Sequence, residues 1–189
     1  LFSFQSLFAQ LPNGSIAPNF TLTDLNGTTH KLYEDYTDLG YTVFIDFSAV
    51  WCGPCWSYHT SHALKTVYEN HGPDGYPDVI QGTTNDVMVF FIEGQAGTLA
   101  ELNGGGSSVG DWVTGTTYPI ICTDPSVSGN TTAVATAYQT PYWPTVYQVC
   151  PDRTIKLIGQ AQGLYSLVNA CLPPPSQNDD ARSFMDNSS

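Results

Sequence analysis

Two cysteines separated by two residues, Cys52 and Cys55, can exchange disulfides or bind a metal ion. They follow an almost continuous apolar run over residues 41–47, and residues 56–70 after them contain neither Gly nor Pro. This order predicts a buried strand, then the cysteines, then a helix. The Sγ of Cys52 would lie at the N-terminus of that helix, where free N–H groups and the helix dipole stabilise a thiolate. Because a thiolate is the attacking species, Cys52 is the predicted nucleophile and Cys55 the residue that resolves a mixed disulfide.

Asp46 is the single charged residue within the apolar run 41–47. A carboxylate in such a strand loses hydration, which raises its pKa. Asp46 could then exchange protons with Cys55 during turnover, as a general base or acid. The alternative is an Asp at a strand edge whose carboxylate bonds to backbone and takes no part in chemistry.

His59 and His62, on the predicted helix, raise the alternative of a metal site with two Cys and two His ligands. The four residues are too close in sequence for a zinc finger, and one continuous helix aims them poorly at a single centre. We therefore expect no metal and no other cofactor. Both histidines are expected to be partly buried and to pack against the rest of the protein.

Alternating strands and helices are needed to position these residues, and the sequence supplies them. The predicted strands cover residues 20–25, 28–32, 41–47, 87–92, 145–149 and 154–158, and the predicted helices cover 56–70, 98–102, 131–138 and 163–171. The first two strands flank an Asn26-Gly27 turn and form an N-terminal hairpin. A parallel pair followed by an antiparallel pair predicts an α/β fold with a central mixed sheet flanked by helices.

The composition limits the classes of partner. Among 189 residues, 17 are acidic and 5 are basic, and the formal net charge is −12. Nucleic acid and anionic membranes both require Lys and Arg, so neither is an expected partner.

The chain divides into three expected segments. Residues 1–10 resemble the end of a signal peptide, although a short strand or helix is the alternative. Residues 11–172 form the expected domain, and residues 173–189 form a proline-rich linker. No apolar run is long enough to cross a membrane.

Residues 44–55, Phe-Ile-Asp-Phe-Ser-Ala-Val-Trp-Cys-Gly-Pro-Cys, closely resemble the active-site segment of thioredoxins. The opening hairpin with Ala17-Pro18-Asn19-Phe20, and the later Tyr118-Pro119 and Trp143-Pro144-Thr145, resemble the TlpA/ResA-like branch, which is related to the AhpC/TSA peroxiredoxins. The resemblance covers residues 15–172. It implies a thioredoxin fold and a secreted bacterial thiol–disulfide oxidoreductase. Its partners would be protein or peptide thiols and disulfides, together with an unidentified redox partner.

The resemblance also implies roles for individual residues. Cys52 attacks, Cys55 resolves, Asp46 relays protons, and Pro144 follows a cis peptide bond beside the dithiol. The expected substrate contacts surround the dithiol and are Trp51, Gly53, Pro54, Trp143 and Pro144. The backbone of Trp143 would pair with an extended substrate segment as a strand does. Trp143 is bulkier than the usual residue at this position, which leaves the breadth of substrates open.

Two departures from the family pattern concern proton transfer. Thioredoxins usually pair the buried Asp with a Lys on the next strand, and residues 87–92 contain no Lys. Many TlpA-like proteins carry a Glu three residues after the second cysteine, where this chain has Tyr58. We therefore expect proton transfer to rest on Asp46 and water.

Three further cysteines lie outside the motif. In the fold that the resemblance implies, the strand after Pro144 runs away from the dithiol, the next strand returns, and the last helix runs away again. Cys150 and Cys171 therefore both lie at the end of the domain opposite the dithiol. This implies a disulfide between them, closing a loop of about twenty residues, and leaves Cys122 as a buried thiol. Pairing of Cys122 with either of them is the alternative, because sequence does not fix connectivity. A structural disulfide fits an extracytoplasmic location, periplasmic or secreted.

Two other functions are alternatives to disulfide exchange. A thiol peroxidase would resemble peroxiredoxins, which place Thr and Cys in a Pro-x3-Thr-x2-Cys pattern, and residues 48–51 do not fit it. A redox-capable binding module of a larger secreted protein would keep the fold, but binding alone needs no dithiol. The sequence favours exchange and does not give its direction.

Overall fold

The computed structural model describes residues 10–122, 124 and 131–171, which contain two sheets. The strands, in chain order, are β1 (Thr21–Thr23), β2 (Thr29–Lys31), β3 (Thr42–Ser48), β4 (Val87–Glu93), β5 (Ile120–Ile121), β6 (Thr145–Val149) and β7 (Ile155–Leu157). The helices are α1 (Gly53–His59), α2 (Ala63–His71), α3 (Leu99–Leu102), α4 (Thr131–Ala137) and α5 (Tyr165–Val168). A π-helical turn spans Leu32–Tyr36, and 3-10 turns span Thr37–Leu39 and Asn169–Cys171.

The larger sheet has five strands in the order β5-β4-β3-β6-β7. β3 lies at its centre, parallel to β4 and antiparallel to β6. β5 extends the parallel side and β7 the antiparallel side. This is the mixed sheet that the sequence predicts, and β1 pairs with β2 in the predicted N-terminal hairpin.

β3, β4 and β6 are buried along their whole length. Val, Ile and Phe dominate β3 and β4, as expected for strands whose two faces are both covered. The pairing register places Thr145, the first residue of β6, opposite Phe47 near the end of β3. The loop that carries Cys52 therefore leaves the sheet at the edge where β6 begins.

The single helix predicted over residues 56–70 is wrong, because the chain breaks between α1 and α2. The hydroxyl of Ser61 donates a hydrogen bond to the carbonyl of Tyr58 at 2.6 Å. Such side-chain bonds compete with the backbone N–H groups that would continue a helix. His62 then adopts a left-handed conformation with φ of 61°, which ends the helical path.

Other elements also differ from the sequence prediction. The helix expected over residues 163–171 divides into α5, of 4 residues, and the 3-10 turn that ends at Cys171. β5 has 2 residues and lies in an apolar run to which the sequence assigned no element.

The predicted signal-peptide remnant at residues 1–10, apart from residue 10, and the predicted linker at residues 173–189 lie outside the described residues. Among the residues that are described, none of the helices has the length and apolar character that crossing a membrane requires.

Candidate active site

Cys52 and Cys55 form a disulfide at the start of α1, with their α-carbons 5.2 Å apart. Cys52 is the N-cap of α1, and its Sγ accepts a hydrogen bond from the Cys55 N–H at 3.2 Å. Pro54 occupies the first turn, where its missing N–H leaves no helical bond unmade. After reduction, the N–H donor and the positive end of the helix dipole would stabilise negative charge on the Cys52 sulfur.

The two cysteines differ in accessibility. Cys52 is 4% exposed, whereas Cys55 is fully buried. Trp51, Gly53 and Pro54 are exposed around them, and Trp51 keeps 48% of its surface in contact with solvent. A molecule that approaches the disulfide therefore meets Cys52, with the Trp51 ring beside it.

Asp46 is fully buried in the central strand β3. Its Oδ1 accepts a hydrogen bond from the Ser48 hydroxyl at 2.7 Å, and its Oδ2 has no partner among the described residues. Burial raises the pKa of Asp46 to about 7, against the opposing effect of the Ser48 hydrogen bond. Burial, and then the charge of Asp46, raises the pKa of Tyr58 on α1. The Asp46 carboxylate is therefore close to the helix that carries Cys55.

Asp46 is not at a strand edge, and the hydrogen bond it accepts comes from the Ser48 hydroxyl and not from the backbone. It pairs with Phe91 of β4 on one side and with Val146 of β6 on the other. Ser48, its hydrogen-bond donor, was missed by sequence reasoning. The spacing of two residues, which puts both side chains on one face of a strand, was the signal that could have found it.

The Trp143-Pro144 peptide bond is cis, as the resemblance implies. Pro144 is buried immediately before β6, at the sheet edge from which the Cys52 loop departs. The half-buried Trp143 ring packs on Gly94, where an added Cβ would lie 2.5 Å from a ring carbon. Gly94 therefore lets the ring of Trp143 approach the backbone that follows β4.

His59 and His62 take different places. The ring nitrogens of His59 lie 3.2 Å from the hydroxyls of Tyr118 and Thr116, and its ring packs against Trp112. Burial, and then the charge of His62, lowers the pKa of His59 to about 4. His62 is exposed, so the expectation that it packs against the protein is wrong. The described residues hold no group of three or more His, Cys, Asp or Glu side chains arranged to bind a metal.

The second predicted disulfide is confirmed. Cys150 and Cys171 are bonded, with their α-carbons 5.1 Å apart and a sequence separation of 21. Cys122 is a free, buried cysteine, so the alternative pairings are wrong. This bond ties the end of β6 to the turn that follows α5.

No family model matches the sequence. The thiol-disulfide oxidoreductase ResA of Geobacillus kaustophilus is 52% identical to this chain over 42 residues, which make up 22% of the chain and 22% of that relative. The likeness to this relative thus spans less than a quarter of its length.

Solved structures are similar over most of the chain. The thioredoxin domain of a thiol-disulfide oxidoreductase from Bacteroides vulgatus gives a TM-score of 0.58 at 17% identity, covering 86% of this chain and 99% of that domain. A thiol-disulfide oxidoreductase from Bacteroides fragilis gives 0.51 at 16% identity, covering 84% of this chain and 100% of the other. These similar structures show that the chain has a thioredoxin fold. In this thioredoxin fold, the dithiol follows the central strand of the mixed sheet.

Proposed function

We propose that the protein is a thiol–disulfide oxidoreductase that exchanges disulfides with protein or peptide substrates through Cys52 and Cys55. The observation that carries this proposal is the closed Cys52–Cys55 disulfide at the N-terminus of α1, in which only Cys52 reaches the surface. A binding module would need neither this bond nor the asymmetry between its two sulfurs.

The reaction proceeds in two exchanges. In the reducing direction, the Cys52 thiolate attacks one sulfur of a substrate disulfide, forms a mixed disulfide and releases the other substrate sulfur as a thiolate. Cys55, after losing its proton, attacks the Cys52 sulfur, which releases the second substrate thiolate and closes the Cys52–Cys55 bond. The substrate gains two electrons and the protein dithiol loses two. The reverse sequence oxidises a substrate dithiol, and the reduction potential of the pair decides the direction.

Asp46 is proposed to accept the Cys55 proton in the reducing direction and to return it in the other. A general base works best when its pKa is near the operating pH, and burial places that of Asp46 at about 7. Because Oδ2 has no protein partner among the described residues, it is free to exchange a proton with Cys55, directly or through water.

Substrates are proposed to bind across Trp51, Gly53 and Pro54 on one side and Trp143 and Pro144 on the other. The two groups lie at the same edge of the sheet, since β6 begins where the Cys52 loop departs. An extended segment could pair with the backbone of Trp143 while its sulfur meets Cys52. An extracytoplasmic location is proposed because the Cys150–Cys171 disulfide requires an oxidising compartment to persist.

Reduction of insulin disulfides by the protein, with dithiothreitol as electron source, tests the proposal. Cys52→Ser is expected to abolish turnover, and Cys55→Ser to accumulate mixed disulfides that a non-reducing gel resolves. Cys122→Ala removes a thiol that lies outside the proposed site and is the matched control. Full turnover by Cys52→Ser would contradict the proposal. Peroxide consumption without insulin reduction would favour a peroxidase, and neither activity would favour a binding module.

A further inference from the structure

Glu93 is a second buried carboxylate near the dithiol, and the exchange chemistry leaves it without a role. It is the last residue of β4, pairs in register with Ser48 at the end of β3, and is fully buried. Burying an ionised carboxylate is costly unless hydrogen bonds and nearby dipoles compensate. The contacts of Glu93 therefore show which parts of the protein depend on it.

The carboxylate organises the loop that follows β4. Its Oε2 accepts hydrogen bonds from the N–H of Gly97 at 2.6 Å and of Gln95 at 3.2 Å. Ala96, between these donors, has a left-handed φ of 62°, a conformation that persists in a non-glycine residue only where its surroundings impose it. An added Cβ at Gly97 would lie 2.7 Å from the Glu93 carboxyl carbon, so glycine there admits the carboxylate.

The same side chain reaches the loop that leads into Cys52. Burial raises the pKa of Glu93, and the backbone N–H groups of Gly97, Gln95 and Val50 oppose that rise; Val50 lies two residues before Cys52. Oε1 has no hydrogen bond of ordinary geometry among the described residues. Beside this contact, the N–H of Gly94 donates to the carbonyl of Ser48 at 3.0 Å, which joins the two loops directly.

The loop after β4 also supports the other side of the proposed substrate site. Gly94 lies under the ring of Trp143, the residue before the cis-proline. The hydroxyl of Thr131, at the start of α4, donates to the backbone carbonyl of Glu93 at 2.6 Å. Glu93 thus pairs in register with Ser48, which leads into the loop before the attacking sulfur, and binds the loop on which Trp143 rests.

We propose that Glu93 is a positioning residue that holds the Cys52 loop and the Trp143 segment in register for an extended polypeptide substrate. This inference rests on the proposed function. Glu93 affects the turnover of substrates that contact both segments at once. It leaves the intrinsic reactivity of Cys52 with small disulfides almost unchanged.

Glu93→Gln tests the proposal, because it keeps the side-chain length and one acceptor while removing the charge and placing an NH2 group among N–H donors. We expect kcat/KM for a peptide disulfide to fall at least tenfold, chiefly through KM, while kcat/KM for bis(2-hydroxyethyl) disulfide changes less than threefold. Amide hydrogen exchange at Val50 should accelerate in the same variant, a readout that does not depend on any turnover.

Glu101→Gln is the matched control. Glu101 is a nearby acidic residue whose charge bears on Glu93, and its carboxylate caps α3 through Thr98, a role that Gln also fills. It should change neither the ratio of the two activities nor exchange at Val50. If Glu93→Gln does not fold, Gly97→Ala displaces the carboxylate without removing it, and the same selective loss is expected.

An equal loss with both disulfides, or unchanged kinetics with unchanged exchange at Val50, would overturn the positioning role. Wild-type turnover of the two disulfides is measured first, and its absence refutes the proposed function. Faster exchange at Val50 would still be expected of Glu93→Gln in that case, so the two failures are distinguishable.

Discussion

Asp46→Asn is expected to stabilise the oxidised protein by an amount that grows as the pH rises. The substitution keeps the size of the side chain and an oxygen that can accept the Ser48 hydrogen bond, which measures 2.7 Å in the native protein. It removes the ability of a fully buried group to ionise. A buried carboxylate that must ionise opposes folding, and an amide never does.

The magnitude follows from the pKa of Asp46, which burial raises from 3.8 to about 7. Between these values the unfolded chain has lost the proton and the folded chain retains it, so the native protein loses stability as the pH rises. Above about pH 7 both states are ionised and the loss is complete. At 1.36 kcal/mol per pKa unit, the loss amounts to about 4 kcal/mol. Below about pH 4 both states are protonated and this contribution disappears.

Urea unfolding of the oxidised native protein and the variant, at pH values from about 4.5 to 8.5, measures the effect. The difference between their free energies of unfolding should increase by roughly 3 kcal/mol over this range. Taking the difference cancels the other titrating groups. The matched control is Asp78→Asn, at an exposed position with a left-handed φ of 63° that Asn also tolerates.

A difference that stays constant with pH for Asp46→Asn would refute the reasoning, because it would mean that Asp46 ionises as readily in the folded as in the unfolded chain. The same variant should exchange disulfides more slowly near neutral pH. An unchanged pH–rate profile would remove Asp46 from the mechanism while leaving the stability argument intact.

The remaining predictions concern stability at other sites. Replacing both Cys150 and Cys171 with Ala should lower the free energy of unfolding by about 3 kcal/mol, as the chain-entropy model gives for a 21-residue separation, and an unchanged urea midpoint would contradict it. Burial lowers the pKa of His59 to about 4. Its side chain is therefore neutral in the folded protein at pH values at which it is protonated in the unfolded chain. Stability should therefore fall by up to about 3 kcal/mol as the pH drops from about 6.5 to 4, and should not do so in His59→Gln. Titration of the His59 ring by NMR with a midpoint near 6.5 would show this to be wrong.

The central part of the fold could be predicted because its signals are local. The apolar run that becomes β3 and the Asn26-Gly27 turn each specify their element within a few residues. The position of Asp46 in that run was sufficient to predict its burial and the rise in its pKa. The Cys150–Cys171 pairing followed from the strand directions that the resemblance to thioredoxins implies.

Other features depend on contacts between distant parts of the chain. The break between α1 and α2 depends on which acceptor the Ser61 hydroxyl finds, and residues 56–70 contain no Gly or Pro to reveal it. β5 has 2 residues and becomes a strand only by pairing with β4. Glu93 reads in sequence as a polar residue that ends a strand, and its importance comes from Val50 and Gly97, which only the folded chain brings to it.

The central place of β3 has a consequence for how the protein can respond to a change in redox state. β3 is bonded to β4 on one side and to β6 on the other, so its amides can exchange with solvent only when the sheet itself opens. We therefore expect β3 to keep its hydrogen bonds to both neighbours when the disulfide that follows it is reduced. Structural differences between the two redox forms should be confined to the loops at the edge of the sheet. A partner would then distinguish the two forms only by the shape of these loops.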